Sequence, residues 1–413
     1  MIAEVSFDLR VSCEEYGFMQ RSNENNNVLH SISRMFHFVR LIGFQLWVLF
    51  VGSSMCLGNE WNLQSPTDFQ VVQRTQLQSG MLPVEGAVAW SAGGVGKLEI
   101  RVKDANQGQW SLLGDVVSGH SFSFLHPMKS GGWYRLELRI VSNDQPVTEH
   151  VIDHVGVGEV FVVAGQSNSA NHGEEKQKTT TGRVASFDGK TWRLCEDPQP
   201  GASGRGGSFM PPLGDLLALE LEVPVGFVAC GIGATSVREW LPEGFCFPNP
   251  PTLTGRVRQL DDGQWASDGR AYTMFLHCMQ ALGKRGFRSV LWHQGESDSN
   301  QKDPTRTLAG SLYRDYLKAL IQSSRRDIYW NVPWFVAQVS YHVPGDEASP
   351  DIRAAQAALW QDGTAFQGPD SDALKGVLRE NNGLGVHFSG EGLKVHASRW
   401  AEKILPWIES LEE

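Results

Sequence analysis

Four short segments gather the residues that could carry acyl-transfer chemistry. GQSNSANHG (Gly165–Gly173) puts Ser167 directly after an apolar run and beside Gly165. A serine so placed can sit in a tight turn, its hydroxyl exposed and its N–H aimed into a pocket. That suits a nucleophile which also supplies an oxyanion donor. Alone the signal is weak, because a serine opening a helix is more often only an N-cap. GIGATSVREW (Gly231–Trp240) offers two glycines where backbone can approach a ligand, and Thr235 or Ser236 to cap the next helix. WHQGESDSN (Trp292–Asn300) combines an amide donor, Gln294, with a carboxylate, Glu296. Near the C-terminus GVHFSGEGLKVH places His387 in a loop before a final helix, and His342 follows another apolar run.

Each segment follows or precedes a regular element. Glu159–Gly165, Val223–Cys230, Arg288–Gln294 and Pro333–Val339 are nearly continuous apolar runs, as parallel strands buried on both faces require. Between them the spacing predicts helices. Phe275, Cys278, Met279 and Leu282 share one face, as do Tyr313, Tyr316, Leu317 and Leu320; Leu393, Ala397, Trp400 and Ile404 mark the last. Residues 156–413 therefore read as an α/β domain with a parallel central sheet. Ligands of such sheets bind beyond the carboxyl ends of the strands, where the four segments fall. Residues 59–155 have another texture. Phe69–Arg74, Gly86–Trp90, Lys97–Lys103 and Trp133–Val141 alternate apolar and polar between turn signals, the pattern of a small β-sandwich.

The ordered motifs G-Q-S-N, G-x-x-x-T-S-x-x-x-W, W-x-Q-G-E-S-D and V-H-F-S-x-x-G resemble the sialate O-acetylesterase-like branch of the SGNH hydrolases, over residues 158–400. The resemblance implies a flavodoxin-like SGNH domain that removes O-acetyl groups from carbohydrate, sialic acid-like or polymeric. It makes Ser167 the nucleophile and His387 the general base. The oxyanion donors it implies are the Ser167 N–H, a backbone N–H of the Gly231–Gly233 turn (Gly233 preferred) and the Gln294 amide. This is serine chemistry, so no metal and no cofactor is implied.

One position departs from the pattern. The family commonly places Asp three residues before the histidine, and Leu384 stands there. Glu380, Asn381 and Asn382 are nearby substitutes in a shifted loop, and Glu296 is the alternative; Glu296 is the expected partner of His387. Other histidines compete for the base role: His172 on the turn after Ser167, and His293, which should point to the other side of its strand end. His342 is expected to line the acyl or sugar pocket. Arg238 and Trp240 are candidates to touch substrate, with an ion-paired arginine and a packed tryptophan as equal readings. Arg353 and Gln356 read as structural.

Composition limits the alternatives. The chain has 413 residues, 41% apolar and 20% charged, with 46 Asp plus Glu against 36 Lys plus Arg. The net charge of −10 argues against a nucleic-acid partner or adhesion to anionic lipid. Arg40, the apolar run Leu41–Val51 and the small residues ending at Gly58 form a secretory leader pattern, with Met35 the expected start, residues 1–34 an over-extension and Asn59 the first mature residue. Export follows, periplasmic or extracellular, with membrane attachment only if the leader stays uncleaved. Of the cysteines beyond it, Cys195 and Cys246 lie in loop-like sequence and are the expected disulfide pair, whereas Cys230 and Cys278 read as core. The rival to an esterase is a catalytically weak glycan-binding protein on the same fold.

Overall fold

The computed structural model describes residues 59–411 except 76 and 104–107. The leader expectation falls on residues 1–58, outside the described ones. The described residues fall in one compact unit.

Eight strands open the fold: β1 (Glu60–Ser65), β2 (Gln70–Gln73), β3 (Ser79–Ala89), β4 (Val95–Lys103), β5 (Ser111–Val117), β6 (Ser121–Lys129), β7 (Gly131–Ser142) and β8 (Gln145–Gly165). An antiparallel sheet β1–β3–β6 and the strands β5–β4–β7–β8 close over a shared core that includes Leu82, Val84, Leu98, Ile100, Leu136 and Leu138. The period-two alternation read from the sequence arises here, inward residues buried and outward ones wet.

Strand β8 joins the two halves. Its first part pairs antiparallel with β7, from Gln145↔Ser142 onward. Its last part lies parallel to β11 (Val225–Ala229) on one side and β15 (Ser289–His293) on the other. The boundary expected at 155/156 thus falls inside a continuous strand. Around it the sheet runs β10 (Trp192–Leu194), β9 (Val184–Phe187), β11, β8, β15, β16 (Trp334–Gln338), β17 (Phe366–Asp370). All these pairs are parallel except β10 with β9, so the sheet is mixed where a parallel one was expected. A small separate sheet holds β12 (Cys246–Phe247), β13 (Val257–Gln259) and β14 (Trp265–Ser267).

Helices cover both faces. On one side, α2 (Arg270–Ala281), α3 (Gly310–Asp327) and α4 (Pro350–Gln361) pack Phe275, Tyr313, Leu317 and Leu359 against Val160, Val162, Trp292 and Trp334. On the other, α1 (Met210–Glu220) and α5 (Gly390–Glu409) pack Leu213, Leu217, Trp400 and Ile404 against Phe161, Val163, Phe227 and Phe335. Successive strand residues face opposite cores, which is why the strands are apolar throughout.

At the amino ends of these strands the buried Glu159 pairs with Arg74 at 2.5 Å and Arg288 at 2.6 Å, tying the β2 end to the central sheet. A buried carboxylate flanked by two guanidiniums holds that end fixed. The opposite ends remain open for a site. Cys195 is a buried free thiol, so the expected Cys195–Cys246 pair is not formed. Among the described residues, no helix is long and apolar enough to cross a membrane.

Candidate active site

Ser167 opens a single turn of 3-10 helix, Ser167–Ser169, immediately beyond β8. Gly165 makes that turn possible. Its φ is +130°, and a Cβ there would stand 2.1 Å from the His293 carbonyl oxygen. Only glycine tolerates both conditions. Ser167 lines a cavity of about 690 Å³ together with His387, Gln166, His172, Ser203, Gly233, Glu296 and His342.

His387 and Glu380 share one hairpin. Arg379 and Phe388 form an antiparallel bridge, and the Glu380 N–H donates to the His387 carbonyl at 2.9 Å. The chain reverses through Asn381 and Asn382, with φ of 52° and 57°, and Gly383 at 90°. Asparagine and glycine tolerate this left-handed geometry. The reversal carries Glu380 across from His387, where its Oε1 lies 2.8 Å from Nδ1 and also accepts the His387 backbone N–H at 3.1 Å. Gly385 leaves room for that carboxylate, because a Cβ there would meet Glu380 Cγ at 2.1 Å.

Glu296 was expected in this role, and the geometry corrects it. The acid on His387 is Glu380, while Glu296 is buried and accepts from Asn168 Nδ2 at 3.1 Å. Asn168 Nδ2 also donates to the Val386 carbonyl at 3.2 Å. The residue after Ser167 thus bridges to the residue before His387. Burial pushes the Glu296 carboxyl up to about 7, against the pull of Asn168. Leu384, where the acid was missed in the sequence, is 69% exposed at the hairpin tip.

Gln294 is the second correction. As an oxyanion donor its amide would face the cavity, but it is fully buried and not part of the cavity wall. Its Nε2 donates to Asp298 Oδ2 at 2.7 Å and the Thr235 carbonyl at 3.1 Å. Asp298 is the cause: a buried carboxylate must collect donors, and it takes Ser236 Oγ (2.5 Å), the Val237 N–H (2.8 Å) and Arg238 (3.2 Å) as well. Arg238 is therefore a buried structural cation, not a substrate contact; it also donates to the Asn249 and Arg306 carbonyls. Gln166 does line the cavity, and its Oε1 accepts from the Ser297 N–H at 3.1 Å.

Gly233 lines the cavity, but its N–H, expected as an oxyanion donor, is on Ser203 Oγ at 2.7 Å. Ser203 Oγ also lies 3.0 Å from His172 Nε2, and the His172 and His387 rings are 5.3 Å apart. His342 lines the cavity too, held by Asp346 on Nδ1 (2.6 Å) and the Glu296 carbonyl on Nε2 (2.6 Å). His293 packs away from the cavity against Phe388 and His396. Arg353 pairs with Asp370 and Asp372, and Gln356 bonds Val339 through both its amide atoms.

His387 is pulled below its ordinary value chiefly by burial, with Glu380 opposing and Arg379 reinforcing. A neutral imidazole with one nitrogen on a carboxylate can accept a proton at the other.

Sequence reasoning missed Ser203, since nothing in its local pattern marks it, and weighed His172 only as a rival base, not as a wall residue. Glu380 was within reach: Asn-Asn-Gly between Glu380 and His387 is a reversal signal.

A serine at a strand-end turn shares its cavity with a carboxylate-held histidine in an α/β fold, an arrangement compatible with a hydrolase. Residues 157–406 match the family of carbohydrate esterases described as sialic acid-specific acetylesterases. The chain belongs to that family and is a carbohydrate O-acetylesterase. Among curated protein sequences none matches. Among solved structures, the carbohydrate acetylesterase XAC1771 from Xanthomonas citri is similar in fold, with a TM-score of 0.50 and 16% identity over 83% of this chain and 73% of that one. An Arabidopsis thaliana protein (18% identity, TM-score 0.43, 60% of this chain and 98% of that one) and NanS (14%, 0.43, 61% and 98%) are also similar.

Proposed function

We propose that the protein is an exported esterase that releases acetate from an O-acetylated sugar through Ser167, His387 and Glu380. The fold is read as an SGNH-hydrolase domain, with the N-terminal sheets as its β-sandwich partner. His387 Nε2 takes the Ser167 proton as Oγ attacks the acetyl carbonyl carbon. The tetrahedral intermediate collapses, its bond to the sugar oxygen breaks, and His387 returns the proton to that oxygen. Water, deprotonated by the same imidazole, then cleaves the acetyl-Ser167 ester and frees acetate. Glu380 holds the tautomer and stabilises the imidazolium formed in both steps. The oxyanion donors are the Ser167 N–H and the Gln166 amide, with the Gly233 N–H joining once Ser203 turns aside.

The observation that carries this reading is the 2.8 Å contact of Glu380 with His387 Nδ1, which commits one ring nitrogen and leaves the other for the cavity wall that includes Ser167. The negative net charge gives no support to a nucleic-acid partner. The test is acetate release from acetylated sialic acid and acetylated xylan. Ser167→Ala should lower the rate at least ~10³-fold with an unchanged melting temperature. Equal turnover by the variant would reject the mechanism, and no turnover by either protein would favour a glycan-binding role.

A further inference from the structure

Arg379 lies beneath the hairpin that carries Glu380 and His387, and the mechanism above does not use it. Its side chain is 1% exposed. The guanidinium donates to three backbone carbonyls: Leu374 from Nε at 2.6 Å, Val386 from Nη1 at 2.7 Å and Ser371 from Nη2 at 2.7 Å. Its flat faces rest on two rings, with centroids 4.0 Å away at Tyr341 and 4.4 Å at Phe388. Among the described residues, no carboxylate makes an ion pair with it. The groups whose charge it feels are Glu296, Asp372, Tyr341 and Glu380, and it acts in turn on His293, His396 and His387.

A buried cation satisfied by carbonyls is costly to keep, so the three carbonyls matter. Ser371 is fastened to the end of β16, its N–H and Oγ both on the Gln338 carbonyl at 3.0 Å. Asp372 beside it accepts the backbone N–H groups of Ser340 and Tyr341. Val386 immediately precedes His387, and its carbonyl is the one that also accepts from Asn168. One planar fork therefore ties the peptide before the base to the rigid end of the sheet. Lysine, a single point donor without a flat face, cannot reproduce that arrangement.

We propose that Arg379 is a positioning residue for catalysis, fixing the Val386–His387 peptide against the end of β16 so that the imidazole stays directed at Ser167. The inference rests on the Ser167–His387–Glu380 reading. A second consequence follows from charge. Arg379 disfavours the imidazolium of His387 while Glu380 favours it, so the two together set where the base titrates.

The experiment measures kcat, KM and the pH profile of kcat/KM on an acetyl ester for wild type, Arg379→Lys, Arg379→Met and Tyr341→Leu. Ser167→Ala and His387→Ala run in parallel. Displacing a catalytic group by about 1 Å costs ~10²-fold. Arg379→Lys should therefore lower kcat by ~10–10²-fold with little change in KM, and Tyr341→Leu should lower it less. Arg379→Met should lower kcat at least as far and also move the acid limb to higher pH, because the opposing charge is gone. A loss of rate with an unmoved acid limb in Arg379→Met, or undiminished kcat in the variants, would overturn the proposal. If Arg379→Met does not fold, Arg379→Lys and Tyr341→Leu decide by kcat alone. Activity surviving in Ser167→Ala and His387→Ala would instead remove the underlying mechanism, a result separable from the Arg379 outcome.

Discussion

Glu380→Gln isolates the contact on which the proposed mechanism depends. In the native hairpin the Oε1 of Glu380 accepts from both Nδ1 and the backbone N–H of His387. The amide is nearly the same size, so the hairpin and its left-handed turn should persist. What is lost is the charge, and with it the support for the imidazolium that forms in each step. A hydrogen bond to a charged group contributes roughly 1.5–3 kcal/mol, which at about 1.36 kcal/mol per decade is about 10–150-fold in rate. A ring free to adopt the wrong tautomer adds to this, and an acid-to-amide change in a serine-protease triad costs about 10⁴-fold. Glu380 is half-buried, at 19% side-chain exposure, so water can partly replace it. The expected loss in kcat is therefore about 10²–10³-fold, with KM nearly unchanged. The acid limb has a direction too. Glu380 raises the His387 value, so its removal should shift that limb to lower pH. Initial rates of acetate release from pH 4 to 9 would measure both effects. A loss under tenfold, or a limb moving upward, would refute the assignment.

The remaining expectations follow from the same packing. Glu296→Gln should cost less than tenfold in kcat, because a glutamine oxygen can still accept from Asn168; a loss matching that of Glu380→Gln would return Glu296 to the catalytic role. The same variant tests linkage. The Glu296 carboxyl is raised from 4.5 to about 7 in the folded state, so its favourable contribution is complete below about 4.5 and disappears as pH rises through about 7. Relative to wild type, Glu296→Gln should therefore gain stability between pH 5 and pH 8, by an amount up to ~3 kcal/mol, read from denaturant unfolding at both pH values; parallel curves would contradict it. Gly385→Ala should reduce kcat more than it reduces the melting temperature, since its Cβ would press on the Glu380 stem rather than on the core; a variant with native kcat would show that the hairpin can yield. Export predicts a mature terminus at Asn59, and mass spectrometry finding Met1 or Met35 on secreted protein would reject cleavage there.

Much of this architecture was legible because burial writes itself into residue type. Glu159–Gly165, Arg288–Gln294 and Pro333–Val339 each have an apolar side chain for both helical layers; the last two form β15 and β16 within a residue or two at their ends, and the first is the final third of β8. The helical faces at Tyr313–Leu320 and Leu393–Ile404 were equally plain, since their apolar residues recur at helical spacing and are all buried. Strand β17, Phe366–Asp370, was not. Its sequence FQGPD contains Gly and Pro and few apolar residues, and it forms because an edge position asks less of both faces. Nor does any local signal say that β8 runs for 21 residues through the expected domain boundary. The turns and glycines around 155 look like a linker until pairing partners on both sides are known.

The site divides along the same line. The turn that holds Ser167 is a local object, made by a strand, a glycine of positive φ and a serine, so its place at a strand end was legible in nine residues, whereas the role proposed for Ser167 came from the four motifs together. An acid for His387 is a relational object. Glu296 and Glu380 are both carboxylates near the right segments, and only the direction of the chain reversal at Asn381–Gly383 decides which one reaches Nδ1. Gln294 failed for a related reason: a buried amide goes to the most demanding acceptor, and Asp298, four residues later, is a fully buried carboxylate. The W-x-Q-G-E-S-D segment is thereby recast. Gln294 and Asp298 bind the loop to Thr235, Ser236 and Arg238, joining the ends of β11 and β15, while Glu296 reaches Asn168 beside Ser167. The density of polar groups that drew attention to it belongs to the frame around the cavity that Ser167 and the hairpin-borne His387 line.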